Sequence, residues 1–164
     1  MSEFVYFSSE WAILEHDNVL RLTGGKVGVT HPQLIESALG HIQNDDYYPE
    51  AQDKLGHLVY SIAKNHCFVD GNKRSSIAIG SYFLSVNGFE NLVPKFIVEM
   101  ENIVLLVVED LVSKDNLTHI LGDLLLRGEI GENNKLLLVA ALESFASLQK
   151  GREDHERLED PRAF

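Results

Sequence analysis

The sequence predicts an all-α domain with at most a small β-hairpin, on two observations. Apolar residues recur at helical spacing through most of the chain, and Ser, Gly, Asn and Pro signals fall where those runs begin and end. Gly56 and Gly80 stand inside two of the runs, where each costs about 1 kcal/mol against Ala. Close backbone approach at helix crossings is the expected compensation.

In order, "FVYFS" reads as a short strand or an extended lead-in, and Ser8 or Ser9 caps a helix through Leu22 that Gly24-Gly25 stops. "THPQ", 30–33, reads as a capping box with Pro in the first turn of a helix carrying Leu34, Ile35, Ala38 and Leu39. "HIQNDDYYPE", 41–50, has the Asn-Asp-Asp centre of a hairpin or extended loop. Leu55, Leu58, Val59, Ile62 and Ala63 mark a helix over 51–65. A second runs over 73–86, with Asn72 as N-cap and Asn87-Gly88 as its end. Beyond a short strand at "NLV", helices are expected over 96–112, 117–127 and 134–149, with a break at "GEIGENN". The closing "GREDHERLEDPRAF" is mostly charged and is expected to fray.

The chain's 164 residues suffice for one domain with a sizeable core. Its 25 acidic residues against 14 basic ones, net charge -11, argue against broad binding to nucleic acid or an anionic membrane. A lone cysteine, Cys67, excludes an intramolecular disulfide and a thiolate zinc cluster. "MSEFVYFSSEW" lacks signal-peptide character, and apolar runs such as "IVLLVV" are too short to span a bilayer. These features together read as a cytoplasmic protein.

The stretch "NHCFVDGNKRSS", 65–76, is where chemistry concentrates. Lys73 and Arg74 oppose the helix dipole in a first turn, where a favourable charge is worth about 0.3–1 kcal/mol. Taken singly, His66 is an ordinary helix-end residue, Phe68 a core anchor, Asp70-Gly71 a turn and Asn72 a cap. None of those readings explains the two cations. A Gly-containing turn opening a helix aims several N–H groups at one point, an anion-binding nest. With Gly71, Asn72, Lys73 and Arg74 around that nest, the site suits a di- or triphosphate. Asp70 at its edge suits Mg2+ bridging the phosphates, and His66 at the rim suits a base. Those are the parts that phosphoryl or nucleotidyl transfer needs.

Two other arrangements fit the residues less well. Cys67 beside His66 lacks any activating neighbour. His57 lies about 900° around the helix from His66, so the two cannot share a metal, and it is expected exposed near Asp53. His16, His31, His41, His119 and His155 show no metal-ligand spacing.

His66-x-Phe68-x-Asp70-Gly71-Asn72-Lys73-Arg74 resembles the signature of the Fic/Doc superfamily, whose general pattern is H-x-F-x-(D/E)-G-N-G-R-x-x-R. "HDNVLRLTGGKVGVTHPQLIESALGHIQ", 16–43, and "FLSVNGF", 83–89, are similar to the flanking segments of death-on-curing (Doc) toxins. The resemblance covers roughly 9–127 and implies a Fic-fold helical bundle with a small β-hairpin flap. It divides the chain into a Fic/Doc domain, 1–128, and a C-terminal helix with an acidic, flexible tail, 129–164. Cys67 replaces a usual Pro at a variable position. Lys73 replaces the second Gly and Ile77 the second Arg, departures that Doc toxins share.

The resemblance implies a toxin kinase that transfers the γ-phosphate of ATP, with Mg2+, to a hydroxyl of a protein substrate, elongation factor Tu being the characteristic target. The alternatives are AMP transfer of the Fic type, or a catalytically silent Fic-fold partner. Carried over, His66 deprotonates the target hydroxyl, Asp70 places Mg2+ or His66, and Asn72, Lys73 and Arg74 grip phosphate. Gln43, Asn44, Asp45, Asp46 and Tyr47 correspond to the flap that pairs with an extended target peptide. The resemblance further implies an antitoxin docked beside the site. An in-chain inhibitory (S/T)-x-x-x-E-(G/N) motif is not found, so a separate antitoxin is expected.

Overall fold

The computed structural model of the chain describes residues 3–159. The helical periodicity is realised as α1 (Ser9–Thr23), α2 (Pro32–His41), α3 (Ala51–Lys64), α4 (Asn72–Val86), α5 (Val93–Val108), α6 (Lys114–Arg127) and α7 (Glu132–Glu159). α3 is central, packing against α2, α4, α5 and α6, while α1 lies on α2 and α4, and α7 on α5 and α6. The spacing that marked α3 in the sequence buries Leu55, Leu58, Val59 and Ile62 completely. Each such side chain contributes roughly 1.5–3 kcal/mol.

The two helical glycines lie at crossings. A Cβ on Gly56 would lie 2.5 Å from the Thr118 hydroxyl on α6, and one on Gly80 would lie 2.9 Å from the Phe96 ring on α5. Ser8 caps α1 by accepting the Trp11 N–H, and Gly24 closes it with its N–H on the Leu20 carbonyl. The lead-in forms no strand and is held by Asn87, whose side chain bonds the N–H and C=O of Val5.

Several expectations are corrected. No β-strand occurs among the described residues; a single bridge pairs Val29 with Phe68. The hairpin flap is therefore absent. Its backbone is used locally, with the Asn44 carbonyl accepting from Tyr47 and Tyr48 and the Asn44 side chain accepting from Asp46 N–H. The Ile42 carbonyl is taken by Lys54 Nζ at 2.7 Å.

The capping box at Thr30 does not form. Thr30 and His31 both donate their N–H to the Cys67 carbonyl, which displaces the N-cap to His31. "NLV" enters a 3-10 turn, Glu90–Leu92, and the start of α5, where Pro94 favours a first helical turn. α7 continues past 149 to Glu159, so the described part of the predicted frayed tail is helical; 160–164 lie outside the described residues. His57 is buried, because loop and α6 side chains close over it.

Candidate active site

The site forms where α3 ends and α4 begins. Asn65 caps α3, and His66 follows at φ 50°, in the left-handed region where His is enriched among non-glycine residues. Cys67 and Phe68 then turn inward and are buried. The segment is sewn to residues 28–31 by the Cys67 carbonyl and by Val69 N–H donating to Gly28 O. With its neighbours pulled inward, His66 is left exposed, and it makes no hydrogen bond among the described residues.

Gly71 is the N-cap of α4 at φ 74°, a conformation that favours glycine. The first bond closing α4 runs from Ser75 N–H to the Gly71 carbonyl. The N–H groups of Asn72, Lys73 and Arg74 therefore have no helical acceptor, as an anion nest requires.

Asn72 departs from its expected role as cap. It is the first residue of α4, and its side chain grips the Phe68 backbone, accepting from the N–H and donating to the carbonyl, both at 2.9 Å. The loop's shape takes the amide that a cap would have used.

Asp70 accepts hydrogen bonds from Lys26 N–H at 3.1 Å and Gly71 N–H at 2.7 Å. Those two donors, with the Arg74 guanidinium 3.7 Å away, hold its carboxyl below the usual range. Arg74 also donates to the Gly24 carbonyl at 2.7 Å and to the Thr23 hydroxyl, tying the site to the end of α1. Lys73 is exposed. Burial pushes the Cys67 thiol up, which disfavours its thiolate.

His66, Asp70, Gly71, Asn72, Lys73 and Arg74 together line one cavity of about 270 Å³, with Ala63 and Val108. Arg74 also borders a larger, mostly apolar groove of about 510 Å³ between α1, α4 and α5. Gln43, Asn44, Asp45, Asp46 and Tyr47 line neither. They precede the opposite end of α3, whose 14 residues span about 21 Å.

Three contributions went unread in the sequence. His16 is fully buried, stacks on Phe68 with ring centroids 3.8 Å apart, and donates from Nε2 to the Asp70 carbonyl at 2.8 Å. Its signal was position, a lone His four residues from Ala12 and four from Leu20 on the buried stripe of α1. Gly25, read only as a helix stop, faces the site; a Cβ there would lie 2.6 Å from Asp70 Oδ2. The Lys26 N–H carried no sequence signal.

The Fic/DOC family model matches residues 6–84. Toxin Doc of Mycolicibacterium smegmatis (strain ATCC 700084 / mc(2)155) is 38% identical over 71 residues, 41% of this chain and 55% of the relative. Protein kinase doc of Escherichia phage P1 is 30% identical over 88 residues, 52% of this chain and 70% of the relative. The match thus spans little more than half the length of the mycobacterial relative.

Proposed function

The chain belongs to the Fic/Doc family, and from that premise we propose that it transfers the γ-phosphate of ATP to a hydroxyl side chain of a target protein, as a Doc-type toxin kinase. The observation that carries the reading is the single cavity joining an unpartnered histidine to an anion nest and two cations.

In this reading His66 takes the proton of the target hydroxyl, and the freed oxygen attacks the γ-phosphorus. The β–γ P–O bond breaks and ADP leaves with its electron pair. The Asn72, Lys73 and Arg74 N–H groups, the Lys73 ammonium and the Arg74 guanidinium face the phosphates. Little covalent work is asked of the protein, because positioning and charge dominate phosphoryl transfer.

The Asp70 carboxylate suits a divalent cation, since each oxygen accepts one N–H and keeps a lone pair, and its anionic form is favoured. Mg2+ held there would neutralise phosphate charge. Among the described residues no group of three or more His, Cys, Asp or Glu is arranged to hold a metal.

The γ-phosphate is favoured over the α-phosphate by two residues. Lys73 fills space that Gly would leave at the nest, and Ile77 offers no second guanidinium. Residues 1–128 would form the transferring unit and 129–164 an appended segment. Gln43 to Tyr47 would contact the target away from the accepting hydroxyl. The apolar groove beside Arg74 suits the docked segment of a separate antitoxin. Elongation factor Tu, implied by resemblance alone, is the first target to try.

The test is incubation with ATP labelled separately on the α- and γ-phosphate in a bacterial lysate. Label from γ alone, with a mass gain of one phosphate on the target, is expected. An AMP adduct would overturn the kinase reading and leave a Fic-type adenylyltransferase. No label from either position would leave the silent binding partner.

A further inference from the structure

α7 lies outside the residues that the family model matches, yet it pairs with a residue next to the cavity lining. Its 28 residues extend about 42 Å. Ala141 is buried against the body of the protein, with Leu137, Leu138 and Phe145 packed beside it. Three turns further on, Arg152 forms a two-pronged pair with Glu109, Nη2 to Oε2 at 2.8 Å and Nη1 to Oε1 at 3.3 Å.

Glu109 is the C-cap of α5, a position where the helix dipole disfavours a carboxylate. It therefore needs a cation. Its neighbours place it at the site, for Val108 lines the cavity beside His66 and Lys73. Asp110, on its other side, pairs with Lys64, two residues before His66. Arg152 is the first cause holding the Glu109 carboxyl below its usual range, and Lys73 acts on it in the same direction. Arg152 from α7 thus engages the carboxylate whose chain neighbour, Val108, shares the cavity lining with Lys73.

We infer that Arg152 is a positioning residue for the nucleotide site, engaging both oxygens of Glu109 so that Lys73 stays free to face phosphate. This rests on the reading of the cavity as an ATP site. Without Arg152, Glu109 draws Lys73 to itself and neutralises it, and nucleotide binding weakens although no residue of the nest has changed.

The experiment is titration of the full chain with ATP and Mg2+ by calorimetry, alongside thermal melts. Arg152→Ala is expected to weaken binding up to about fivefold, the scale of one partly exposed ion pair, with Arg152→Lys restoring part of it. Glu109→Gln should bind at least as well as the unmodified protein, and adding Arg152→Ala to it should change nothing further. In a Lys73→Met background, Arg152→Ala should likewise lose its effect. A loss through general unravelling of α7 would persist in the Lys73→Met background and would appear in Glu109→Gln alone, and either result overturns the inference. So does an Arg152→Ala protein that binds ATP as the unmodified protein does, which leaves the ATP site standing. An unmodified protein that binds no ATP overturns the site reading and this inference with it.

Discussion

His57 lies on α3 and His66 just beyond its end, yet one is walled in by partners and the other has none. His57 Nδ1 lies 2.6 Å from Lys114 Nζ and 3.0 Å from the Tyr48 hydroxyl, and Nε2 lies 3.3 Å from His41. Burial, then the charges of Lys114 and His41, lowers its pKa to about 4. At neutral pH it is an uncharged acceptor for the Lys114 ammonium. His66 is exposed, held in left-handed backbone, and open to a ligand. The contrast teaches that a side chain's chemistry is available only where its hydrogen bonding is incomplete. The first half of α3 has its polar side chains satisfied within the fold, and the far end leaves an imidazole without a partner.

The largest expected effect is on growth. Expressing the unmodified chain in bacteria without a partner should arrest growth, and Asp70→Ala or Arg74→Ala should each restore colony numbers. Arrest that survives both substitutions would detach toxicity from this cavity.

At the other end of α3, Lys54 is fully buried, with its ammonium on the Ile42 carbonyl and on Asp45 at 2.6 Å. Burial pushes its pKa down, and Asp45 and Tyr6 more than offset this. Lys54→Ala leaves a buried carbonyl unpartnered and should cost about 2–3 kcal/mol in a urea melt. Transfer per folded molecule should stay near normal. A lost activity at unchanged stability would break the division between the two ends.

His57 gives that division a pH signature. Its folded pKa lies below the unfolded value of 6.5, so the unfolded chain binds more protons between them. Stability should be fully present above pH 6.5 and fall as the pH drops toward 4. His57→Gln should flatten the curve in that window, read from thermal midpoints. A curve of unchanged slope would show that burial does not hold the imidazole neutral.

The smallest effect separates shaping the site from acting in it. Asn72→Ala removes both bonds to the Phe68 backbone and should cost about 1–2 kcal/mol. Stability and transfer should decline together. Lost transfer at full stability would make Asn72 a phosphate ligand only.

What was legible in the sequence follows the range of the interactions. His66, Asp70, Gly71, Lys73 and Arg74 share one short segment, so spacing alone brings them together. The helices and the Gly56 and Gly80 crossings follow from local periodicity and from the cost of glycine in a helix. His16, Gly25 and Lys26 reach Asp70 from α1 and the loop after it, a distance no local pattern encodes. Lys54 and His57 were hidden because burial of a polar group depends on partners from elsewhere, here the 41–50 loop and α6. The end of α7 has no apolar rhythm, and the ion pairs Arg152–Glu109 and His155–Glu159 accompany its helix instead.

The central claim is that His66 performs chemistry and contributes little to the fold. The most direct measurement is the rate of label transfer from γ-labelled ATP by His66→Ala, taken with its thermal midpoint. The rate should fall by about 10²–10⁴-fold at an unchanged midpoint, since the side chain is exposed and has no partner to lose. Near-normal transfer by the folded variant would contradict it.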